Sequence, residues 1–248
     1  MRIIFLVSIL ISLSAQASRP ELLGQKQVNY RTYFGDCPSK SSGNFAMLVI
    51  KEFEKNQSLK QVKEKILSEK LDEKHFLSDY KISYNPVINN LKIKLECPEP
   101  LARVQVYKSN GEEHFSAILA ANSKTYDPAY ENLIKAEKKL TSPLPNMVIS
   151  MDQLEGEIVF QLTGFIQLMD KDLRNQISEI IISKSNDLTI IFSLGRKATS
   201  VFMGADFWEE KLTKLSKIVG YVSKNKRYPS SINLVNAKKV VVKFTDSI

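Results

Sequence analysis

The first hundred residues of the chain carry hydrophobic patterns that change period several times. Over residues 25–34 apolar side chains fall at alternate positions, which predicts a half-buried strand. Residues 35–43 contain Gly, Pro and Ser and predict a loop. Apolar residues at helical spacing over 45–53, and again over 58–71 behind a Ser-Leu-Lys-Gln capping sequence, predict two helices. Residues 79–96 alternate on both sides of a turn rich in Asn, so they predict a β-hairpin.

The middle of the chain has a weaker pattern. Residues 104–120 form two apolar runs on either side of a polar turn with glycine, which predicts a pair of strands. Residues 124–139 stay open between a helix and an irregular insertion, because a proline interrupts the pattern early. Residues 153–169 have apolar side chains at helical spacing and predict a helix, although two glycines weaken it.

The last seventy residues are predicted to form strands around one long helix. Three apolar segments within residues 177–203 are separated by short polar turns and predict an antiparallel meander. Residues 206–222 predict an amphipathic helix that Asp206 begins as its cap. After it, residues 232–235 and 240–244 predict two terminal strands.

Residues 1–17 have the pattern of a secretory signal peptide. An arginine precedes an apolar run over residues 3–13, and residues 15–17 read Ala-Gln-Ala, the form of a cleavage site. A membrane-spanning helix needs about 20 apolar residues. We therefore expect a cleaved signal peptide, with a short membrane anchor as the alternative, and an exported protein in either case.

Composition and charge narrow the expected function. The 248 residues are 43% hydrophobic, which is enough for one large domain or two small ones. The net charge of +8 is compatible with a polyanionic partner. Because we expect the protein to be exported, the expected polyanion is an anionic membrane surface or a cell-wall polymer, and no nucleic-acid partner is expected. The alternative is that many lysines, such as Lys60, Lys63 and Lys65, lie on solvent-exposed helix faces and bind no partner.

Residues that could carry chemistry are few. Cys37 and Cys97 can pair in an oxidising compartment or remain free thiols. A bond between them would close a loop of about 60 residues and stabilise the fold by a few kcal/mol. His75 and His114 lie far apart without ligand-like spacing, and the glycines form no phosphate-binding motif. We therefore expect no metal site, no cofactor and no enzymatic activity.

The predicted order of strand, helix, helix, strand, strand is that of the small POTRA module. Residues 91–104, Leu-Lys-Ile-Lys-Leu-Glu-Cys-Pro-Glu-Pro-Leu-Ala-Arg-Val, resemble the end of the POTRA module in the FtsQ/DivIB family of bacterial cell-division proteins. The second half resembles the C-terminal β-domain of that family through an ordered series of features. These are the Leu-Pro-Asn of residues 144–146, a helix, strands ending at Gly195 and Gly204, a helix over residues 209–221, and the Ile-Asn-Leu of residues 232–234.

This resemblance implies an α+β fold in two parts. A POTRA-like domain with the order β-α-α-β-β would cover residues 25–108, and a mainly antiparallel β-domain with flanking helices would cover residues 109–248. The implied function is a non-enzymatic scaffold of the division machinery, in the periplasm at the outer face of the inner membrane, at the division site. Partners of the FtsB/DivIC and FtsL type would add a β-strand to the C-terminal edge of the sheet. The implied partner-binding residues are Lys184, Val235, Asn236, Lys238, Val240, Val242 and Phe244.

The implied contact rests on the backbone of the last strand more than on individual side chains. Asn233, Val235 and Asn236 stand where many family members carry Asp, Arg and an aromatic residue. The lysines around the last strand either attract an acidic partner or only prevent edge-to-edge aggregation. Two other functions remain open: a soluble periplasmic POTRA-bearing chaperone for outer-membrane or secreted proteins, and an envelope hydrolase.

Overall fold

A computed structural model describes residues 28–108, 110–140, 142–195, 197–236 and 238–244. These residues form an α+β fold with two sheets and several helices, as the sequence predicted at that level. The predicted signal peptide over residues 1–17 lies outside the described residues.

The first module, residues 28–96, is a three-stranded sheet with helices packed on one face. Its elements are β1 (Asn29–Tyr33), α1 (Ser39–Asn56), α2 (Leu59–Glu69), α3 (Leu71–Lys74), β2 (Asp79–Asn85) and β3 (Asn90–Glu96). The strands lie in the order β1-β3-β2, with β1 parallel and β2 antiparallel to β3. This element order agrees with the prediction, except for the short α3.

Alternation along the strands gives this sheet two different faces. Leu91, Ile93 and Leu95 of β3 are buried and pack with apolar side chains of α1 and α2. Each such side chain stabilises the fold by about 1.5–3 kcal/mol relative to an exposed one. Lys92 and Lys94, which lie between them, are exposed on the opposite face.

The predicted loop over residues 35–43 is wrong in its second half, because α1 already begins at Ser39. Pro38 precedes the first turn, where backbone N–H groups have no partner within the helix and proline is tolerated. Ser41 and Ser42 point into the core, so the start of the buried face is not apolar. The chain just before α1 is joined to the chain after β3 by a disulfide bond between Cys37 and Cys97.

The second module, residues 100–244, is built on a nine-stranded sheet. Its strands are β4 (Pro100–Tyr107), β5 (Glu113–Ala120), β6 (Thr125–Tyr126), β7 (Asn146–Ser150), β8 (Ile177–Ile182), β9 (Leu188–Leu194), β10 (Lys197–Gly204), β11 (Ser231–Asn233) and β12 (Val241–Lys243). Its helices are α4 (Ala129–Ala136), α5 (Met151–Leu154), α6 (Glu157–Leu168), α7 (Lys171–Arg174) and α8 (Trp208–Asn225). The strand order is β12-β11-β10-β9-β8-β7-β4-β5-β6.

This sheet is mixed, and it begins earlier in the chain than predicted. The predicted meander is present as β8, β9 and β10, but β4, β7 and β8 form a parallel centre. β4, which precedes the predicted domain boundary between residues 108 and 109, pairs with β5 and β7 of this sheet. The chain crosses between the modules at residues 97–99, next to two prolines that limit strand pairing there.

Two helix predictions need correction. The single helix predicted over residues 153–169 is divided into α5 and α6, because Gly156 has an extended backbone and is the N-cap of α6. Asp206 does not cap α8; the N-cap is Phe207, in the left-handed region at φ 50°. The carboxylate of Asp206 instead accepts a hydrogen bond from the buried ammonium group of Lys211 at 2.7 Å.

Residues 124–139, whose structure the pattern left open, join the two modules. They form β6 and α4, and Pro128, which interrupts the pattern, is the N-cap of α4. Phe76 of the first module stacks on Tyr130 of α4 with ring centroids 4.8 Å apart. Both rings belong to a separate buried cluster between the modules. The Tyr130 hydroxyl also donates to the carbonyl of Pro98 at 2.7 Å.

Polar contacts after α4 hold the start of α1. The carboxylate of Glu137 accepts hydrogen bonds from the backbone N–H of Ser39 at 2.6 Å and from its hydroxyl at 2.9 Å. Lys139 forms an ion pair with Glu137 at 3.0 Å and donates to the carbonyl of Cys37 at 2.5 Å. The two modules are therefore joined by an apolar cluster and by hydrogen bonds beside the disulfide.

Candidate functional site

The last strand, β12, lies at one edge of the large sheet. It pairs antiparallel with β11, with Val242 opposite Ile232, and β11 is held in turn by parallel pairing with β10. No strand within the described residues pairs with the outer side of β12. Its backbone groups on that side are therefore available to another polypeptide.

Hydrogen bonds at Lys243 determine which backbone groups face the open edge. The carbonyl of Lys243 accepts from the N–H of Ser230 at 2.9 Å and from its hydroxyl at 3.2 Å, so it points toward β11. Successive residues of a strand direct their N–H and C=O groups to opposite sides. Val242 therefore directs its backbone groups to the open edge. An extended chain would repeat this direction at Val240 and Phe244.

The side chains of β12 divide between an inner and an outer face. Val242 lies on the inner face, where it packs against the main hydrophobic core of the second module. Val241 and Lys243 lie on the outer face and are exposed. The backbone of β12 can therefore be extended by a partner without exposing the core residues behind it.

A row of exposed apolar side chains crosses the outer face and ends at this edge. Strand register aligns, in order across the sheet, Val148, Ile181, Thr189, Phe202, Asn233 and Val241. Its four apolar members, Val148, Ile181, Phe202 and Val241, are each 36–40% exposed, and we name them the apolar row. Val148 and Ile181 are direct neighbours, whereas Thr189 and Asn233 separate the remaining members. Exposed apolar side chains that lie in line with an open edge can be covered by a partner bound there.

Positive charge surrounds the edge. Lys238, Lys239 and Lys243 are exposed, and residues 226–244 contain no Asp or Glu. The guanidinium carbon of Arg227 lies 4.6 Å from the ring centroid of Phe244, a cation–π contact. Because Phe244 is still 38% exposed, part of its ring remains accessible to a partner.

The connection between β11 and β12 contains several of the predicted partner-binding residues. The side-chain carbonyl of Asn236 accepts from the N–H of Lys238 at 2.8 Å, and that of Asn233 accepts from the N–H of Val235 at 3.0 Å. Such turns compete with strand pairing, so both terminal strands are shorter than predicted. Val235 and Val240 lie outside the strands, although both are exposed beside the edge.

Lys184 does not lie on this edge. It is part of the turn between β8 and β9, and strands β10 and β11 separate β9 from β12. With neighbouring strands about 4.8 Å apart, the lateral separation is roughly 14 Å. A partner paired with β12 would contact Lys184 only by extending across three strands of the sheet.

Sequence reasoning missed Arg227 and Phe202 as members of the site. The contact of Arg227 with Phe244 joins the end of α8 to the chain after β12, and no local pattern predicts it. The hydrophobic pattern indicates Phe202 only as part of an apolar segment. Strict alternation within β10, where Val201 and Met203 are buried, is the signal that places Phe202 on the outer face.

The described residues contain no group of three or more His, Cys, Asp or Glu side chains placed to bind a metal ion. The Nδ1 atom of His75 lies 3.2 Å from the hydroxyl of Ser41, a contact that the sequence did not predict. That hydroxyl donates to the backbone carbonyl of His75 at 3.1 Å, and Ser41 is only 6% exposed. The pair therefore joins α1 to the end of α3 and is not an accessible nucleophile.

No protein-family model matches the chain, and no curated protein matches it significantly. Of the described helices, none is both long enough and apolar enough to cross a membrane.

Proposed function

We propose that this protein is a non-enzymatic scaffold of the bacterial cell envelope that recruits cell-division partners by β-strand addition at β12. The partners would be of the FtsB/DivIC and FtsL type, which the sequence resemblance implies. The proposed place of action is the periplasmic side of the inner membrane at the division site. The observation that carries the proposal is the position of β12 at an open sheet edge, with the backbone of Val242 directed outward.

A partner strand beside β12 would gain both backbone and side-chain contacts. It would satisfy the outward N–H and C=O groups of Val242, and its side chains would alternate between the two faces of the sheet. Those on the outer face would lie in line with the apolar row, where burial contributes about 25 cal/mol per Å². Because β12 has only three residues, we expect a small interface and an affinity of about 1 µM.

The charges around the edge favour an acidic partner segment. Arg227, Lys238, Lys239 and Lys243 form a positive region, and oppositely charged segments associate faster with such a region. The same lysines repel a second copy of β12, which protects the edge from self-association. Both effects would make the edge selective for a partner of opposite charge.

We further propose that the first module is a POTRA domain that provides a second docking surface. Its element order, its strand order β1-β3-β2 and the placement of α1 and α2 on one face support that assignment. The stacking of Tyr130 on Phe76 and the hydrogen bond from Ser39 to Glu137 connect the first module to the second. A partner that touches both modules would thus meet a preorganised surface.

Binding of purified partner domains to two variants of Val242 tests the proposal. Val242→Pro removes the outward N–H but no hydrogen bond to β11, whereas the control Val242→Ala keeps the N–H and removes more of the packing. We expect Val242→Pro to weaken binding by at least about tenfold and Val242→Ala by no more than about threefold. An equal loss in both variants would show that side-chain packing, and not the backbone edge, governs binding.

Truncation and imaging provide independent tests. Deleting the chain from residue 238 onward is expected to abolish partner capture while circular dichroism shows that the first module stays folded. Retained capture would argue against the proposed surface. A fluorescent fusion is expected to form a band at midcell; a uniform peripheral signal would favour the periplasmic chaperone instead.

A further inference from the structure

The uncovered face of the first sheet carries a compact group of positive charges. Helices α1 and α2 pack on the face that contains Leu91, Ile93 and Leu95. On the opposite face, all four members of a group of basic side chains are exposed. We name them the basic face: Arg31 of β1, Lys81 of β2, and Lys92 and Lys94 of β3.

Strand register places these like charges side by side. Arg31 lies directly opposite Lys92, and Lys81 lies directly opposite Lys94. Like charges in directly opposed positions destabilise a sheet. The repulsion between these side chains is therefore unfavourable for the fold itself. A negatively charged ligand bound between them would reduce that repulsion.

Two carboxylates share this face with the four basic side chains: Glu96 lies two residues after Lys94 in β3, and Asp79 of β2 lies directly opposite Glu96. Positive charges therefore outnumber negative ones on this face by two. Among the described residues, only Lys94 of the four has an ion pair, with Glu96 at 2.6 Å. By contrast, Lys65 of α2 on the helical side pairs with Glu52 at 3.1 Å and with Glu69 at 3.7 Å. The charges of the basic face thus remain directed toward solvent.

Tyr33 adds an exposed aromatic ring to this face. It lies opposite Lys94 and is 54% exposed. Tyrosine rings, which have an apolar body and a polar tip, are enriched at the headgroup level of membranes. A flat surface that combines tyrosine with lysine and arginine is complementary to a layer of anionic headgroups more than to a single flexible polymer.

We propose that the basic face binds the phosphate headgroups of anionic phospholipids and holds the first module against a membrane surface. Neighbouring strands are about 4.8 Å apart and alternate residues of a strand about 6.8 Å apart, so the four charges lie within roughly 12 Å. Adjacent members are about 5–7 Å apart, which is within the screening length of about 8 Å at physiological salt, so neighbouring charges act together on a ligand. The inference is independent of the proposed division role, because β12 belongs to the other sheet.

Cosedimentation of the purified protein with phosphatidylcholine vesicles, with and without phosphatidylglycerol, tests this proposal. The test variant combines Arg31→Gln, Lys81→Gln and Lys92→Gln. The matched control combines Lys63→Gln, Lys217→Gln and Lys224→Gln, which are exposed lysines of α2 and α8. Both variants lower the formal net charge of +8 by three, so only the location of the charge differs.

The native protein is expected to bind vesicles that contain phosphatidylglycerol, to ignore neutral vesicles and to bind less as salt is raised. The test variant is expected to lose binding by about tenfold or more, and the control by no more than about twofold. Equal losses in the two variants, or equal binding to neutral vesicles, would overturn the proposal. A competition experiment gives a further outcome that would overturn the proposal. In it, the protein would bind a soluble phosphate-containing wall polymer more tightly than vesicles, and added vesicles would not displace the polymer.

Thermal unfolding provides a second readout for the same surface. Lys92→Gln alone removes the repulsion with Arg31, so the midpoint of unfolding is expected to rise while vesicle binding falls. A fall of both quantities together would indicate that Lys92 supports the fold and that the loss of binding is indirect.

Discussion

Phe76→Ala removes the ring through which the first module packs against α4. Phe76 is 7% exposed, follows α3 with a backbone φ of 61°, and stacks on Tyr130 at an interplanar angle of 25°. Its neighbours in the cluster between the modules come from the second module: Ile118, Ala120, Tyr126, Tyr130, Ile134 and Leu144. The substitution therefore tests whether this small cluster couples the two modules.

The expected loss of stability is large. Truncating a buried Phe to Ala destabilises a core by about 3–5 kcal/mol, which includes the cavity that remains. The stacked pair with Tyr130 contributes about 1 kcal/mol of that amount beyond simple burial. Since whole domains are stable by about 5–15 kcal/mol, the change is a substantial fraction of the total.

Urea unfolding followed by circular dichroism, together with calorimetry, measures this effect. The native protein is expected to unfold in one transition, and Phe76→Ala in two separate or broadened transitions, because the modules then lose their shared cluster. Leu67→Ala is the control, since Leu67 is 68% exposed on α2. A loss below about 1 kcal/mol for Phe76→Ala, with a single sharp transition, would refute the coupling.

Three further predictions concern other internal contacts. Reducing the disulfide between Cys37 and Cys97, whose sequence separation is 60, is expected to cost about 4 kcal/mol of stability in the chain-entropy model, as measured by urea unfolding with and without reductant. Burial, together with Lys74, lowers the pKa of His75 below its usual 6.5 despite the contact with Ser41, so the unfolded chain takes up the proton first. Stability should fall as pH drops below about 6.5, and His75→Asn should flatten that part of the profile. Glu131→Gln is expected to cost about 2 kcal/mol in urea unfolding, because Glu131 is 6% exposed and accepts two hydrogen bonds from Arg103 at 2.7 and 2.8 Å.

Elements with one buried face were predictable from the sequence. The hairpin of β2 and β3 and the meander of β8, β9 and β10 follow from alternation, because each strand covers a core on one side only. The start of α1 was missed because Ser41 and Ser42 occupy buried positions where the pattern requires apolar residues. The pattern leaves residues 124–139 open between a helix and an irregular insertion because Pro128 interrupts it, although proline is compatible with the start of a helix such as α4.

The candidate site was predictable only in part, because most of it is not local. The β propensity of Val241 and Val242 indicates a strand, but the position of that strand at the edge depends on the order of all nine strands. The apolar row likewise arises from register between strands that are far apart in sequence, such as those of Val148 and Phe202. Pairwise register of this kind is set by the whole sheet and cannot be obtained from any single segment.

Residue-resolved amide hydrogen exchange at β12, with and without a purified partner domain, tests the central claim most directly. The N–H of Val242 points to the open edge, so it is expected to exchange fast in the free protein and to become protected in the complex. The N–H of Ile232 on β11, which is internal to the sheet, is expected to be protected in both states. A complex in which Val242 keeps exchanging fast, while protection appears elsewhere, would contradict strand addition at this edge.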